Sequence, residues 1–311
     1  MNGNGIHHVT FIAGSAQRNL DFYTRTLGLR MVKQTVNFDD PGAYHLYFGD
    51  EAGTPGTIMT SFPWEHAAPG RGGVGEQEET SFRVPLGAIG EWTTRLLPFG
   101  VERIERFGET VLTLRDPDGL RVALVGVPGL ENEPGWTGTV PATMAIRGFH
   151  GVRLLLDSVA ETGRVLTNVF GFERETTEGN VTRFRVPGAA IGAVVDLVEA
   201  GGFLPARAGR GSVHHLAFRA ADDVAQAAMV AKLVSDHGLH TTEQKDRDYF
   251  RSVYFRSPGG VLFEIATDVP GFAVDEAPDA LGTALKLPAF LRPRRAQIEA
   301  ALPTLAVPEL A

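Results

Sequence analysis

Apolar residues along this chain switch between two spacings, and the switching itself repeats. Residues 8–14 (HVTFIAG) read as a strand, and in the following AQRNLDFYTRTLGL the residues Leu20, Tyr23 and Leu27 fall at helical spacing. Gly28 stands where a left-handed residue would end that helix. Three strand-like runs follow: RMVKQTVNF, YHLYFGD and GTIMTSF. The same order begins again at Thr80, His150 and His215, with helices predicted in IGEWTTRLLPFG, AETGRVLTNVFGF and DDVAQAAMVAKLVSDHGL. The stop glycines Gly28, Gly100, Gly171 and Gly238 are 72, 71 and 67 residues apart. A repeat at that interval decides the architecture more firmly than local propensity does. Each unit reads as βαβββ, and the turn strings DPDG (116–119) and SPGG (257–260) take the same place before the last strand of units two and four.

Four such units predict an α+β protein. Residues 131–147, rich in Pro, Gly and Thr, read as a linker between an N-terminal double unit (1–130) and a C-terminal one (148–268). Residues 269–311 read as a proline-rich tail wrapping the body, with one short helix around RRAQIEAAL. The repeated strand edges would suit a homodimer.

Composition narrows the function. A net charge of -8 and a pI near 5.6 argue against a nucleic-acid groove or an anionic membrane surface as partner. The chain has no cysteine, which excludes disulfides, thiolate ligands and cysteine nucleophiles and fits a reducing cytoplasm. MNGNGIHHV lacks a signal-peptide pattern, and no apolar run reaches the length of a membrane span. A cytoplasmic enzyme is the expectation, and any metal must sit on histidine and carboxylate.

The candidate chemistry lies in two adjacent-histidine pairs, His7-His8 and His214-His215, and in Glu264 within the apolar run GGVLFEIATD. Two imidazoles and a carboxylate on strands are the makings of the facial triad that holds Fe(II) with positions open for oxygen and substrate. A buried unpaired carboxylate costs several kcal/mol, and a metal or an ion pair to Arg247 or Arg256 would relieve that cost. His150 also opens a unit and competes with His8 as a ligand. On ideal strands His7 and His214 would face away from the metal unless a bulge re-aims them. His45 could line the cleft from a middle strand of unit one, with packing the favoured reading; Asp196 and Thr60 occupy the place of Glu264 in units three and one, and His237 and His240 flank a helix end. Tyr47, Phe48, Phe62, Trp64, Tyr249 and Phe250 could wall a planar ring. GGVGE near Gly72 lacks the context of a phosphate loop and reads as a mobile connection.

The strings HHVTFIAG, YHLYFGDEAGTPGTIMTSFPW, RGFHGV, HHLAF, DRDYFRSVYFRSPGGVLFEIATD and LGTALKLPAFL, spread from Gly5 to about Pro303, resemble the vicinal oxygen chelate superfamily. Within it they look like the hydroquinone ring-cleaving branch, relatives of chlorohydroquinone 1,2-dioxygenase. The resemblance implies two open, cupped mixed sheets flanked by helices. It also implies an extradiol-type dioxygenase that opens a hydroquinone-type ring with O2. Carried over, the Fe(II) ligands fall on His8, His215 and Glu264, with Mn(II) able to replace the iron. The surrounding positions fall on His7, Thr10, His214, Arg247 and Tyr254: His214 or Tyr254 as proton donor or acceptor, Arg247 as an orienting cation and Thr10 as a polar contact. Departures lie in the loops lining the pocket and bear on the small aromatic substrate. Two other readings stand beside this one. A glyoxalase-like isomerase or lyase commonly uses two glutamates, and a metal-free binding module would need none of the ligands.

Overall fold

The computed structural model describes residues 5–307, so the outermost positions of the N-terminal unit and of the tail, 1–4 and 308–311, lie outside the described residues. The four units are all present. Unit one holds β1 (Ile6–Ala13), α1 (Ala16–Asp21), continued by a π-helical turn (Phe22–Thr26), then β2 (Arg30–Val36), β3 (Tyr44–Gly49) and β4 (Ile58–Pro63). Unit two holds β5 (Glu76–Pro85), α2 (Ile89–Leu96), β6 (Glu102–Arg106), β7 (Glu109–Arg115) and β8 (Arg121–Val127). Unit three holds β9 (Phe149–Leu156), α3 (Ala160–Asn168), β10 (Glu173–Glu178), β11 (Val181–Arg185) and β12 (Val194–Glu199). Unit four holds β13 (Ser212–Ala220), α4 (Asp223–His237), β14 (Lys245–Asp246), β15 (Phe250–Arg256) and β16 (Leu262–Pro270). All four stop glycines have left-handed backbones, with φ of 75°, 64°, 71° and 63° in chain order, a conformation other residues adopt at a cost.

The sheets do not follow the two halves of the chain. Units one and four build one eight-stranded sheet, ordered β14-β15-β16-β13-β1-β4-β3-β2, and units two and three build the other, ordered β10-β11-β12-β9-β5-β8-β7-β6. Each sheet has an antiparallel pair at its centre, β1 with β13 and β5 with β9, flanked by parallel neighbours. Each is therefore approximately two-fold, with one unit on either side of the central pair. A continuous apolar core runs through both sheets and their helices, with Trp92, Tyr23, Phe82, Phe149 and Phe218 among its largest side chains.

The glycine-rich connection is pinned. Gly70, Arg71 and Val74 donate backbone hydrogen bonds to the carbonyls of Arg210, Arg207 and Leu204, so the expected mobile segment is a cross-link between the two sheets. Past β16 the chain folds over β2, the sheet edge. There the wholly buried Lys33 donates to Asp275 (2.6 Å), Glu276 (2.5 Å) and the Phe272 carbonyl (3.1 Å). Covering β2 in this way removes an edge that could pair with another chain. The short helix α5 (Arg295–Ala301) follows. Among the described residues no helix is long and apolar enough to cross a membrane.

Candidate metal centre and cleft

His8 and His215 lie on the two central strands of the first sheet, and Glu264 lies on β16 beside β13. Residues 207 apart in the chain meet there: His8 Nε2 is 3.2 Å from His215 Nε2. Glu264 Oε2 is 2.9 Å from His215 Nε2 and 3.4 Å from His8 Nε2. Donor atoms that share one metal at roughly 2.1 Å stand about 3 Å apart, so these separations suit a common ion. The carboxylate gives the sharper test. Ser252 donates to Glu264 Oε1 at 2.5 Å, while Oε2, on a residue that is 0% exposed, has no hydrogen-bond partner of proper geometry. A buried carboxylate oxygen aimed at two imidazole nitrogens without a hydrogen bond is what a cation would complete. Burial alone would raise the Glu264 carboxyl, but His8 and His215 outweigh it and hold it well below the usual range. Burial lowers His215, against the pull of Glu264. Among the described residues this is the one cluster of at least three His and acidic side chains spaced for a metal.

The register explains the adjacent histidines. Ile6 pairs with Phe218 and His8 with Ala217, which leaves His7 as the extra residue of a bulge. Thr10 pairs with His215 and Phe11 with Val213, which does the same for His214. The two bulges are related by the approximate two-fold axis. Each bulged ring meets its neighbour Nδ1 to Nδ1, His7 with His8 at 2.9 Å and His214 with His215 at 2.8 Å. His7 and His214 thus each contact the adjacent histidine, where ideal alternation had them facing away, but only His214 reaches the cleft.

A cavity of about 420 Å³ opens over His8 and His215, large enough for one substituted aromatic ring. Phe62, Trp64, His45, Tyr47, Phe250, His214, Tyr254 and Arg247 line it. Of the other predicted site residues, Thr10 and His7 are buried behind the wall. Thr10 reaches the cleft through a chain in which its Oγ1 lies 2.7 Å from Thr60 Oγ1. Thr60 lies 2.9 Å from His45 Nε2, and His45 Nδ1 lies 2.9 Å from the Tyr47 hydroxyl. Burial, with His215 and His8 nearby, holds His45 well below its ordinary pKa, so the chain is neutral at pH 7. Burial and then Glu264 raise Tyr254, which stays protonated, and its ring lies edge-on to His215 at 5.6 Å. Arg247 reaches Asp39 at 3.4 Å across the mouth.

The sequence reading missed Ser252 and favoured packing for His45 over a place in the cleft. Both could have been found from alternation: His45 shares a strand face with Tyr47, and Ser252 with Tyr254, two residues apart in each case. The mouth residues Asn37, Asp39 and Lys245 sit on connections and at a strand end, and carry no sequence signal of their own.

The second sheet shows what the same frame does without a metal set. Asp196 pairs with Arg153 as Glu264 pairs with Ala217, which puts Gly151 in the place of His215 and His150 in the place of His214. By the same register Glu79, paired with Arg153, stands where His8 stands. His150 is no rival for the metal: its Nε2 lies 2.9 Å from Glu109 in this other sheet. A guanidinium takes the central position. Arg183 donates Nε and Nη2 to the two Asp196 oxygens (2.8 and 3.0 Å) and Nη1 to Glu109 (2.6 Å), while Arg106 binds Glu79 at 2.5 Å. Neither Arg247 nor Arg256 pairs with Glu264; Arg256 donates to the Gly260 carbonyl.

Comparison with known proteins agrees with this architecture. Residues 5–124 match the profile of the Glyoxalase/Bleomycin resistance protein/Dioxygenase superfamily. The chain is 47% identical over 313 residues to MhqO of Bacillus subtilis, whose name provisionally calls it a ring-cleaving dioxygenase, with 98% of each chain covered. It is 35% identical over 293 residues to the chlorohydroquinone/hydroquinone 1,2-dioxygenase of Sphingobium indicum, with 91% of each covered. A crystal structure of a Bacillus subtilis protein, provisionally titled a dioxygenase, superposes with a TM-score of 0.93 at 47% identity over 99% of both chains.

Proposed function

The chain belongs to the glyoxalase/bleomycin resistance protein/dioxygenase superfamily, and we propose that within it the chain is an iron-dependent, extradiol-type dioxygenase that opens hydroquinone-type rings. One observation carries the reading: His8, His215 and the unpartnered Glu264 oxygen converge at the floor of an aromatic cleft sized for one ring. Relatives named for ring cleavage, one of them for hydroquinone, support the substrate class. Fe(II) held by these three residues would acidify a bound ring hydroxyl and pass electron density to dioxygen, and Mn(II) suits the same donors.

The chain's own residues do the rest. Phe62, Trp64 and Phe250 exclude water and hold a flat ring over the ligands. Tyr254, kept protonated by burial and by Glu264, offers a hydroxyl proton beside the floor. His214 is neutral, its pKa pushed down to about 3 by desolvation and by His215, so it faces the cleft as an uncharged hydrogen-bonding ring. Arg247 remains a cation at the mouth, where it orients an electron-rich ring. Thr10 and Thr60 brace His45, which also lines the cleft.

Reconstituting the protein with Fe(II) under anaerobic conditions and then admitting oxygen tests the proposal. Oxygen uptake with hydroquinones, matched by loss of ring absorbance, is the expected result. No uptake with either hydroquinones or catechols overturns the function.

A further inference from the structure

We infer that the two tandem histidine pairs have unequal tasks: His7 is a buried brace that fixes ligand His8, whereas His214 carries the equivalent hydrogen bond from ligand His215 out to an oxygen of the bound ring. This rests on His8, His215 and Glu264 being the metal ligands.

The argument begins with tautomers. A contact between two Nδ1 atoms is a hydrogen bond only when one nitrogen carries a proton and the other a lone pair. The Nε2 atoms of His8 and His215 point into the triad. A nitrogen that holds a metal has no proton, so in each ligand ring the proton is on Nδ1. His8 therefore donates to His7 (2.9 Å), and His215 donates to His214 (2.8 Å). A neutral imidazole that accepts at Nδ1 must keep its own proton on Nε2. Both outer rings are thus fixed as Nε2–H donors.

What those protons meet differs between the pairs. His7 is 2% exposed, forms no part of the cleft wall, packs against Phe250 (ring centroids 5.3 Å apart) and lies beside the Thr267 backbone. Thr267 lies on β16, three residues beyond Glu264, so His7 ties one ligand strand to the other. His214 is exposed on the cleft wall, edge-on to Phe62, and its Nε2 has no protein acceptor among the described residues. The second sheet supplies an internal comparison. His150 occupies the His214 position there, and its outward Nε2 lies against a carboxylate oxygen of Glu109. This bulge position aims Nε2 at an acceptor; in the cleft, that acceptor is an oxygen on the ring.

Asparagine and glutamine separate the two nitrogens, because the Asn amide oxygen mimics Nδ1 and the Gln amide nitrogen mimics Nε2. Mn(II) affinity of the metal-free protein, and anaerobic binding of hydroquinone to the Mn(II)-loaded protein, would be measured for each variant, with circular dichroism as the folding control. His7→Ala should weaken Mn(II) binding by about 10- to 100-fold. His7→Asn should recover most of that loss, because it restores the acceptor. His214→Asn should keep Mn(II) affinity within about threefold yet weaken hydroquinone binding by about tenfold or more. His214→Gln should do the opposite. Equal effects of the two Asn variants on hydroquinone binding overturn the division of tasks, as does unchanged Mn(II) affinity in His7→Ala. A wild-type chain that binds no Mn(II) overturns the ligand assignment and this inference with it; one that binds Mn(II) and hydroquinone but consumes no oxygen overturns only the proposed reaction.

Discussion

Thr60 and Glu264 occupy the same place on the two sides of the first sheet. Thr60 pairs with Thr10, two residues after His8, and Glu264 pairs with Ala217, two residues after His215. The fourth position around the metal site therefore holds a neutral hydroxyl that is already hydrogen-bonded to Thr10 and His45. This weighs against an isomerase with two carboxylate ligands, and it would leave one side of a metal held by His8, His215 and Glu264 free for oxygen and substrate.

Thr60→Glu would place a second carboxylate at that position. Divalent metal binding should tighten by about tenfold or more, while oxygen uptake falls by a comparable factor because an open coordination position is filled. Mn(II) titration and an oxygen electrode give the two readouts. Undiminished oxygen uptake would show that this position does not face the metal.

Removing a ligand should act in the opposite sense. Wild-type protein at about 100 times its metal Kd should gain close to 2.7 kcal/mol of stability, a rise of several degrees in melting temperature. Chelation should abolish the gain. Glu264→Gln and His215→Ala should melt at the same temperature with and without metal, and a metal-dependent shift in either would exclude that residue as a ligand.

The second sheet should prove structural. Arg183→Met removes the guanidinium shared by Asp196 and Glu109, leaving Asp196 only the longer pair with Arg153 at 3.5 Å, and should cost about 3–5 kcal/mol in urea unfolding. Adding Asp196→Asn should recover part of the loss. Oxygen uptake per folded molecule should remain near wild type, because Arg183 lies in the other sheet from the ligands.

Asp116 sets a pH dependence. Its Oδ1 accepts the backbone N–H groups of Asp118 and Leu120, both at 2.9 Å, and burial pushes its carboxyl up to about 6 from an ordinary 3.8. Between those values the folded protein holds a proton that the unfolded chain has released. The group therefore favours the fold at low pH, and this contribution, about 3 kcal/mol in full, is lost as pH rises through 6. Asp116→Asn keeps an acceptor oxygen without the charge. Its urea midpoint relative to wild type should rise between pH 4.5 and pH 8, and a difference independent of pH would refute the shift.

The repeat was legible in the sequence because helix stops and strand periods are local. Gly28, Gly100, Gly171 and Gly238 mark positions where the backbone itself must turn left-handed, whatever surrounds them. The ingredients of the site were legible for a related reason: a carboxylate in GGVLFEIATD has to be compensated wherever it is buried. Which histidine of each pair faces Glu264 depended on bulges at His7 and His214, and a bulge is a mismatch between two strands that neither strand encodes alone. The contacts of His150 and His45 arise in the same way, from Glu109 on a strand of unit two and from Thr60 on the neighbouring strand. Local backbone preference and the cost of burying charge act within a short stretch of chain, so the sequence by itself determined the four units and a carboxylate at Glu264 that burial obliges the fold to compensate. The meeting of unit one with unit four, which the family resemblance implies through His8 and His215, is present in the first sheet; register and bulge placement are relations between distant segments, and only the tertiary structure decided them.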